Sequence, residues 1–506
     1  MKKIIIGLFS LVAIVSCNRN GDDVATTETQ TFGDAAAVHY TKSEIQAGFV
    51  PLNEYISISN KAGASQLNYT YRGYAQPVDL DGTPFNTDDL AASAIFAVEN
   101  MVFVTWHSNE NTNNPNGTPS FANGLGASIC AYRLSGIGQY ELLDRVDFPH
   151  HDFIELSGHR NSGTGYIEIL IAGQRDQSNS GYVLNNHLGA VVTRLDFDYI
   201  NGEFWEESFT ELPLTGVAAK DIVAAAKNYY IVTGDGFGGT VASGGVYEVD
   251  RSLRNVKNVD LAYNDVQALI VDPTTVTADN ADLYVLNRSS SSYEIFKYSI
   301  TANALGVTSG FSNGSRSSIS TGSGVGFINA ESADLTWAQG QYKDLDLSGT
   351  PITPIRPVSN TDSLIISAGE SGIWSASSTA PVMPPATAGV QTMVFSNVKN
   401  RGPVFSTAFD NAMGILYCAD SDVTGNAGNT DGGVEVYAMG EYEANAGPVL
   451  NQFDLIGKFV PPTTINTSPP ITVKGFQIKE ISIFNSRNIA LAAGDGGVYF
   501  IQKDSN

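Results

Sequence analysis

The sequence predicts an all-β protein, a seven-bladed β-propeller whose ring is closed by an N-terminal strand that completes the last blade. Three observations lead there. Short apolar runs alternate with period two and break at Gly, Asn and Asp; one pair of runs recurs seven times; and the last unit stops one strand short. Helical periodicity is nearly absent.

The recurring pair is an apolar run ending at Gly, then a Gly-rich gap, then an alternating aromatic and β-branched run. It reads most clearly in YYIVTGD (229–235) with GGVYEVD (244–250), SLIISAGE (363–370) with SGIWSAS (371–377), and NIALAAGD (488–495) with GGVYFIQK (496–503). Looser copies are MVFVTWH (101–107) with ASICAYRL (127–134), YIEILIAG (166–173) with AVVTRLDF (190–197), ADLYVLN (281–287) with SYEIFKYS (292–299), and GILYCAD (414–420) with GGVEVYAM (432–439). The period is about 60 residues, irregular because loop lengths differ.

A third element precedes each pair: an acidic residue and a short apolar run. The acids are Asp89, Asp152, Asp221, Asp265, Asp334 and Glu480; the sixth unit departs, with Arg401-Gly402-Pro403 before VFSTAF. A fourth run follows most pairs, as in YELLDRVDF, VKNVDLAY, TMVFSNV and DLIGKFV. Four strands per unit describe propeller blades, whose radial repetition leaves short, protected edges. The last unit ends after its third strand, so its outer edge needs a partner. EYISISN (54–60) and LNYTYRGY (67–74) are both strand-like, and the first is the expected fourth strand. The alternative to a wheel is a pair of sandwich or barrel domains with look-alike strands.

Composition bounds the function. Against 52 Asp plus Glu stand 28 Lys plus Arg, a net charge of −24 that repels phosphate backbones and disfavours anionic membrane surfaces. Nucleic-acid binding is excluded on that ground.

The first residues read as a targeting segment. Lys2 and Lys3 precede an apolar run, Ile4–Val15, too short to span a bilayer, and Ile14-Val15-Ser16-Cys17 ends in cysteine. This resembles a bacterial lipoprotein signal, which implies a lipid (palmitate among its acyl chains) on Cys17 and location at the cell outer membrane, on the surface or the periplasmic face. An ordinary secretion signal is the alternative. Residues 1–17 are thus the signal and lipobox, 18–37 a polar tether, and 38–506 the propeller. Asp22 and Asp23 resemble the export tags of surface lipoproteins, and a merely solvated linker explains them equally. The remaining thiols, Cys130 and Cys418, are read as buried core residues not bonded to each other.

The segment AAGDGGVYFIQK (492–503), echoed in SAGESGIWSAS and DGGVEVY, resembles the repeats of bacterial seven-bladed propellers of the LVIVD and YVTN kind. The resemblance implies the fold and says little about chemistry, because propellers host hydrolases, lyases, oxidoreductases, adhesins and scaffolds.

Several motifs invite a catalytic reading. Gly234-Asp235-Gly236-Phe237-Gly238-Gly239 satisfies GxGxxG, but a β-run follows it, so it reads as a hairpin connection rather than a dinucleotide turn. Pro149-His150-His151-Asp152, with Glu155 and His159, has metal-ligand residue types at a spacing that strand alternation splits between two faces. Asp79-Leu80-Asp81-Gly82 and Asp420-Ser421-Asp422 are fragments of calcium-loop chemistry. Trp106, Trp205, Trp337 and Trp374 are expected mainly in the core, against the alternative of sugar platforms.

The strand-opening acids form the candidate site. Asp89, Asp152, Asp221, Asp265, Asp334 and Glu480 are expected around one rim of the central channel, where mutual repulsion invites Ca²⁺ or Mg²⁺. Two metal-free readings compete: each carboxylate caps backbone N–H groups in its own turn, or Lys220, Arg401 and Lys479 neutralise the set. The expected function is a lipid-anchored envelope module that binds a protein or glycan partner through the loops 109–126, 309–324 and 377–389. The alternative is a divalent-cation-dependent hydrolase or lyase acting on carbohydrate or lactone at the channel mouth.

Overall fold

The computed structural model describes residues 28–32, 35–40, 45, 48–58, 67–76, 90–108, 126–136, 139–148, 151–161, 163–175, 189–225, 227–234, 244–254, 256–263, 265–277, 280–289, 292–301, 317–320, 334–338, 363–368, 372–377, 390–392, 396–399, 404–411, 413–420, 433–439, 453–473, 478–485 and 487–504. Among them, no helix is long and apolar enough to cross a membrane.

Seven sheets, antiparallel but for the outermost strand of the fourth, follow one another along the chain, each built outward from an inner strand. The inner strands of blades 1 to 7 are Leu90–Val98, His151–Arg160, Ala218–Ala225, Val266–Val271, Asp334–Ala338, Val404–Asp410 and Glu480–Phe484. The expected second and third runs occupy the next two places in every sheet, so the seven-bladed propeller is the fold.

Period-two alternation makes each sheet sticky on both faces, and the wheel buries both. In Asn488–Ala492 of blade 7, Ile489 and Leu491 pack with Ile415, Tyr417 and Val434 of blade 6, whereas Ala490 and Ala492 pack with Val102, Val104 and Tyr132 of blade 1. Tyr229 and Ile231 likewise face blade 2, and Tyr230 and Val232 face blade 4. Every buried cluster thus belongs to two adjacent blades, a ring of dry layers that makes the wheel one cooperative body.

Closure mixes the two ends of the chain, with one correction. Val498–Lys503, the last strand, pairs with Leu67–Ala75, and Phe49–Ile58 lies outside that. The fourth strand of blade 7 is therefore the second N-terminal run, and the expected EYISIS run is a fifth, edge strand. The physical reason is in the residues: Leu67–Ala75 is buried on both faces, while Phe49–Ile58 carries Pro51, Asn53 and Glu54, which suit an edge. Gly497 makes the seam possible, because at φ +80° a Cβ there would stand 2.4 Å from the Ala75 carbonyl oxygen.

Two further segments differ from the sequence reading. Ser317–Ser320, inside the expected loop 309–324, is the fourth strand of blade 4, with Val390–Thr392 parallel outside it. The TMVFSNV run is thereby split, and Ser396–Lys399 completes blade 5. At the other end, Glu28–Phe32 and Ala35–His39 form a hairpin on the outer edge of blade 1, within the segment expected to be a tether. His39 Nε2 lies 2.7 Å from Asp144 Oδ1, and the Arg145 guanidinium sits 4.4 Å from the Tyr40 ring centroid. Residues 18–27 and Cys17 lie outside the described residues.

Candidate functional site

The inner strand of each blade has only one neighbour, so its other edge presents backbone N–H groups to the channel. In six blades, one such group finds a side-chain oxygen. Leu156, Ile222 and Leu335 donate to the carboxylate of the residue just before them: Glu155 (2.9 Å), Asp221 (2.6 Å) and Asp334 (2.6 Å). In blades 1 and 4, alanine stands at that position, Ala94 and Ala268, and has nothing to offer. The preceding blade supplies the acceptor. Glu480 of blade 7 accepts from Ile95, and Asp221 of blade 3 accepts from Leu269 at 2.7 Å. With Glu480 turned toward blade 1, Ile481 donates instead to Ser406 Oγ of blade 6 at 3.4 Å. The caps therefore stitch neighbouring blades together at the axis.

β-Bulges fix which side chains reach the channel. The register slips by one residue at Ser93, Ile154, Lys220 and Gln267 in blades 1 to 4, and all four line the cavity at the centre of the wheel. That cavity has a volume of about 490 Å³. Acids from four blades enter it: Glu155, Asp221, Asp334 and Glu480. Trp337, Phe405 and Phe409 supply aromatic wall, and Lys220 and Lys479 supply positive charge. Lys479 Nζ lies 4.9 Å from the Phe405 ring centroid.

The four carboxyls share a low-dielectric space and feel one another. Burial pushes Asp221 up to about 7, against hydrogen bonds from Leu269 and Ile222 that lower it. Burial, then the charge of Asp221, pushes Asp334 up to about 7 as well. Burial holds Glu155 well above the usual carboxylate range, reinforced by Glu480 and Asp221, and burial does the same to Glu480, with Asp334 and Asp221 adding to it. Near neutral pH the cavity thus holds protons as well as carboxylates. Among the described residues, no three His, Cys, Asp or Glu side chains are grouped as a metal ion would need.

Of the six expected rim acids, the structure brings three together: Asp221, Asp334 and Glu480. Asp89 lies outside the described residues. Asp152 and Asp265 sit three positions before Glu155 and Ala268 and belong to a different ring, wedged between blades. Gln174 donates to Asp152 Oδ2 at 2.8 Å, and His107 Nδ1 of blade 1 lies 3.4 Å from its Oδ1. Asp265 fills the space beside Gly234 of blade 3, where a Cβ would come within 2.2 Å of its Oδ1. The member supplied by blade 2 is Glu155, which the rim reading passed over in favour of Asp152. The register slips at Ile154 and Lys220, each immediately before the acid, and so places Glu155 and Asp221 alike in their blades.

The other motifs have structural roles. Gly234 closes a strand that pairs directly with Gly244–Val249, so the GxGxxG stretch spans a hairpin, with 235–243 outside the described residues. His151 is buried and hydrogen-bonds Glu211, which also pairs with Arg175; His150 lies outside the described residues. Cys130 and Cys418 are buried in blades 1 and 6, with no disulfide between them. Trp106 is fully buried, whereas Trp205 is 40% exposed and stacks on Tyr166.

No protein-family model and no curated protein matches the sequence. Among solved structures, the chain is similar to the Dos1 propeller, with 10% identity over 84% of this chain and 94% of that one at a TM-score of 0.40. It is similar to the periplasmic gluconolactonase of Pseudomonas aeruginosa, with 12% identity, coverage of 81% and 100%, and a TM-score of 0.39. It is also similar to Drosophila plexin A in complex with semaphorin 1b, with 10% identity, coverage of 88% on both sides, and a TM-score of 0.42.

Proposed function

We propose that the chain is a binding or assembly module of the cell envelope, tied to the outer membrane through lipid on Cys17 and presenting its channel end to a protein or glycan partner. One observation carries the reading. A rigid wheel encloses a cavity of about 490 Å³, within the range of ligand sites, lined by acids, cations, hydroxyls and aromatic faces. Several of those acids also hold the wheel together at its axis, so binding and scaffold share the same side chains. Affinity capture of the intact protein from its native envelope in mild detergent tests it, alongside a glycan array. Recovery of a stoichiometric partner or retention of a defined glycan supports the module, and failure of both overturns it.

A second reading has its own support. Asp221 and Asp334, pushed to about 7, are acids that hold a proton near neutral pH, the property required of a general acid. That suits a hydrolase or lyase acting on carbohydrate or lactone, with Ca²⁺ or Mg²⁺ as the expected cation. Turnover of a lactone or oligosaccharide panel that is abolished by Asp334→Asn supports it, and calorimetry without heat at millimolar Ca²⁺ or Mg²⁺ removes the cation.

A further inference from the structure

Two features of the channel point to a ligand. One is chemical imbalance. Gln267 lines the cavity, is 7% exposed, and its amide nitrogen has no hydrogen-bond partner. A buried donor without an acceptor costs about 1–3 kcal/mol, which a ligand oxygen would relieve. Glu155 and Glu480 use one oxygen each on backbone caps, which leaves a second oxygen of each at the cavity wall, an acceptor when ionised and a donor when protonated. The other feature is shape. Blade 4 carries alanine where its neighbours carry acids, and Trp337 and Phe405 of blades 5 and 6 line the same cavity as Gln267.

A bare cation would satisfy the acids and leave the Gln267 donor and the two lysines opposed to it. An anion would meet the reverse difficulty. A neutral ring with several hydroxyls donates to carboxylates, accepts from amide and ammonium groups, and lays its C–H face on an aromatic ring. The geometry points to the channel cavity as a binding site for an uncharged sugar of one or two rings, recognised by Gln267, Glu155 and Glu480 with Phe405 as the platform. This rests on the reading of the chain as a binding module and places its glycan in the channel rather than on the outer loops.

Titration calorimetry on the full chain in a polyoxyethylene-ether detergent, free of sugar headgroups, tests it. The probes are the methyl glycosides of glucose, galactose, mannose and N-acetylglucosamine, together with maltose, cellobiose and lactose. Glucuronate, glucosamine, Ca²⁺ and Mg²⁺ serve as comparators. At least one neutral probe is expected to bind, to weaken about tenfold in Gln267→Leu and in Phe405→Leu, and to outbind its charged counterpart. Unchanged melting curves for these variants separate loss of contact from loss of fold. Heat from the charged sugars or the divalent cations alone, binding that survives both substitutions, or no binding by any neutral probe would overturn the inference. If the envelope capture still yields a partner in that case, only the channel assignment fails; if it does not, the module reading fails with it.

Discussion

The layers between blades and the ring around the axis belong to the same seven sheets, yet they obey opposite rules. In the layers, side chains such as Ile489 and Leu491 meet their neighbours dry, and stability comes from apolar area and fit. Around the axis, Asp221 and Glu480 give carboxylate oxygens to backbone donors, and burial raises both above the usual carboxylate range. The lesson is a division of labour. The periphery holds the fold through dry contacts, and the centre carries a polar, proton-bearing cavity.

The largest break should come at the seam. A chain lacking residues 1–76 loses the two outer strands of blade 7 and exposes the edge of Val498–Lys503, and it should fail to give a cooperative melt by circular dichroism. Gly497→Ala attacks the same place more gently. A Cβ would meet the Ala75 carbonyl at 2.4 Å with the backbone at φ +80°, so a loss of about 2–4 kcal/mol in urea unfolding is expected.

Next in size is the ring. Asp221→Ala strands the Ile222 and Leu269 donors together and should cost about 2–3 kcal/mol, measured the same way. It should cost more than Asp152→Ala, which frees only the Gln174 amide and a long His107 contact. Equal costs would mean that the two rings of acids are not distinct.

The pH dependence sharpens the contrast further. Asp221 and Asp334 move from an ordinary 3.8 to about 7 on folding, so the native state holds protons that the unfolded chain has shed between those values. Stability is then fully present below about 4 and declines as pH rises toward 7. The melting temperature should fall by a few degrees between pH 5 and pH 8, and the double substitution Asp221→Asn with Asp334→Asn should flatten that slope. The smallest effect belongs to the layers. Burial pushes the Cys130 thiol up to about 12, so it should stay unreactive toward an aromatic disulfide reagent at pH 8 until denaturant is added.

Blade number, strand order and the first three strands of each blade were legible because alternation and glycine breaks recur in each unit. The closing strand was misplaced between two candidates that both alternate; Pro51 in the edge strand was the clue, since a proline has no N–H to give a ladder. The site was half legible. Asp221, Asp334 and Glu480 stand where acid-plus-apolar spacing put them, but Asp152 and Asp265 look identical by that rule. What separates them is a single extra residue, Ile154 or Gln267, that shifts the register. Period-two reading cannot see such an insertion, because it reverses facing without changing composition.

The hairpin Glu28–His39 sits on the circumference of blade 1, far along the spokes from the hub. With lipid on Cys17 as proposed, the anchored end of the chain joins the wheel at this rim. The proposed anchor and the channel cavity would then act at different places on the wheel, the one at its rim and the other at its hub.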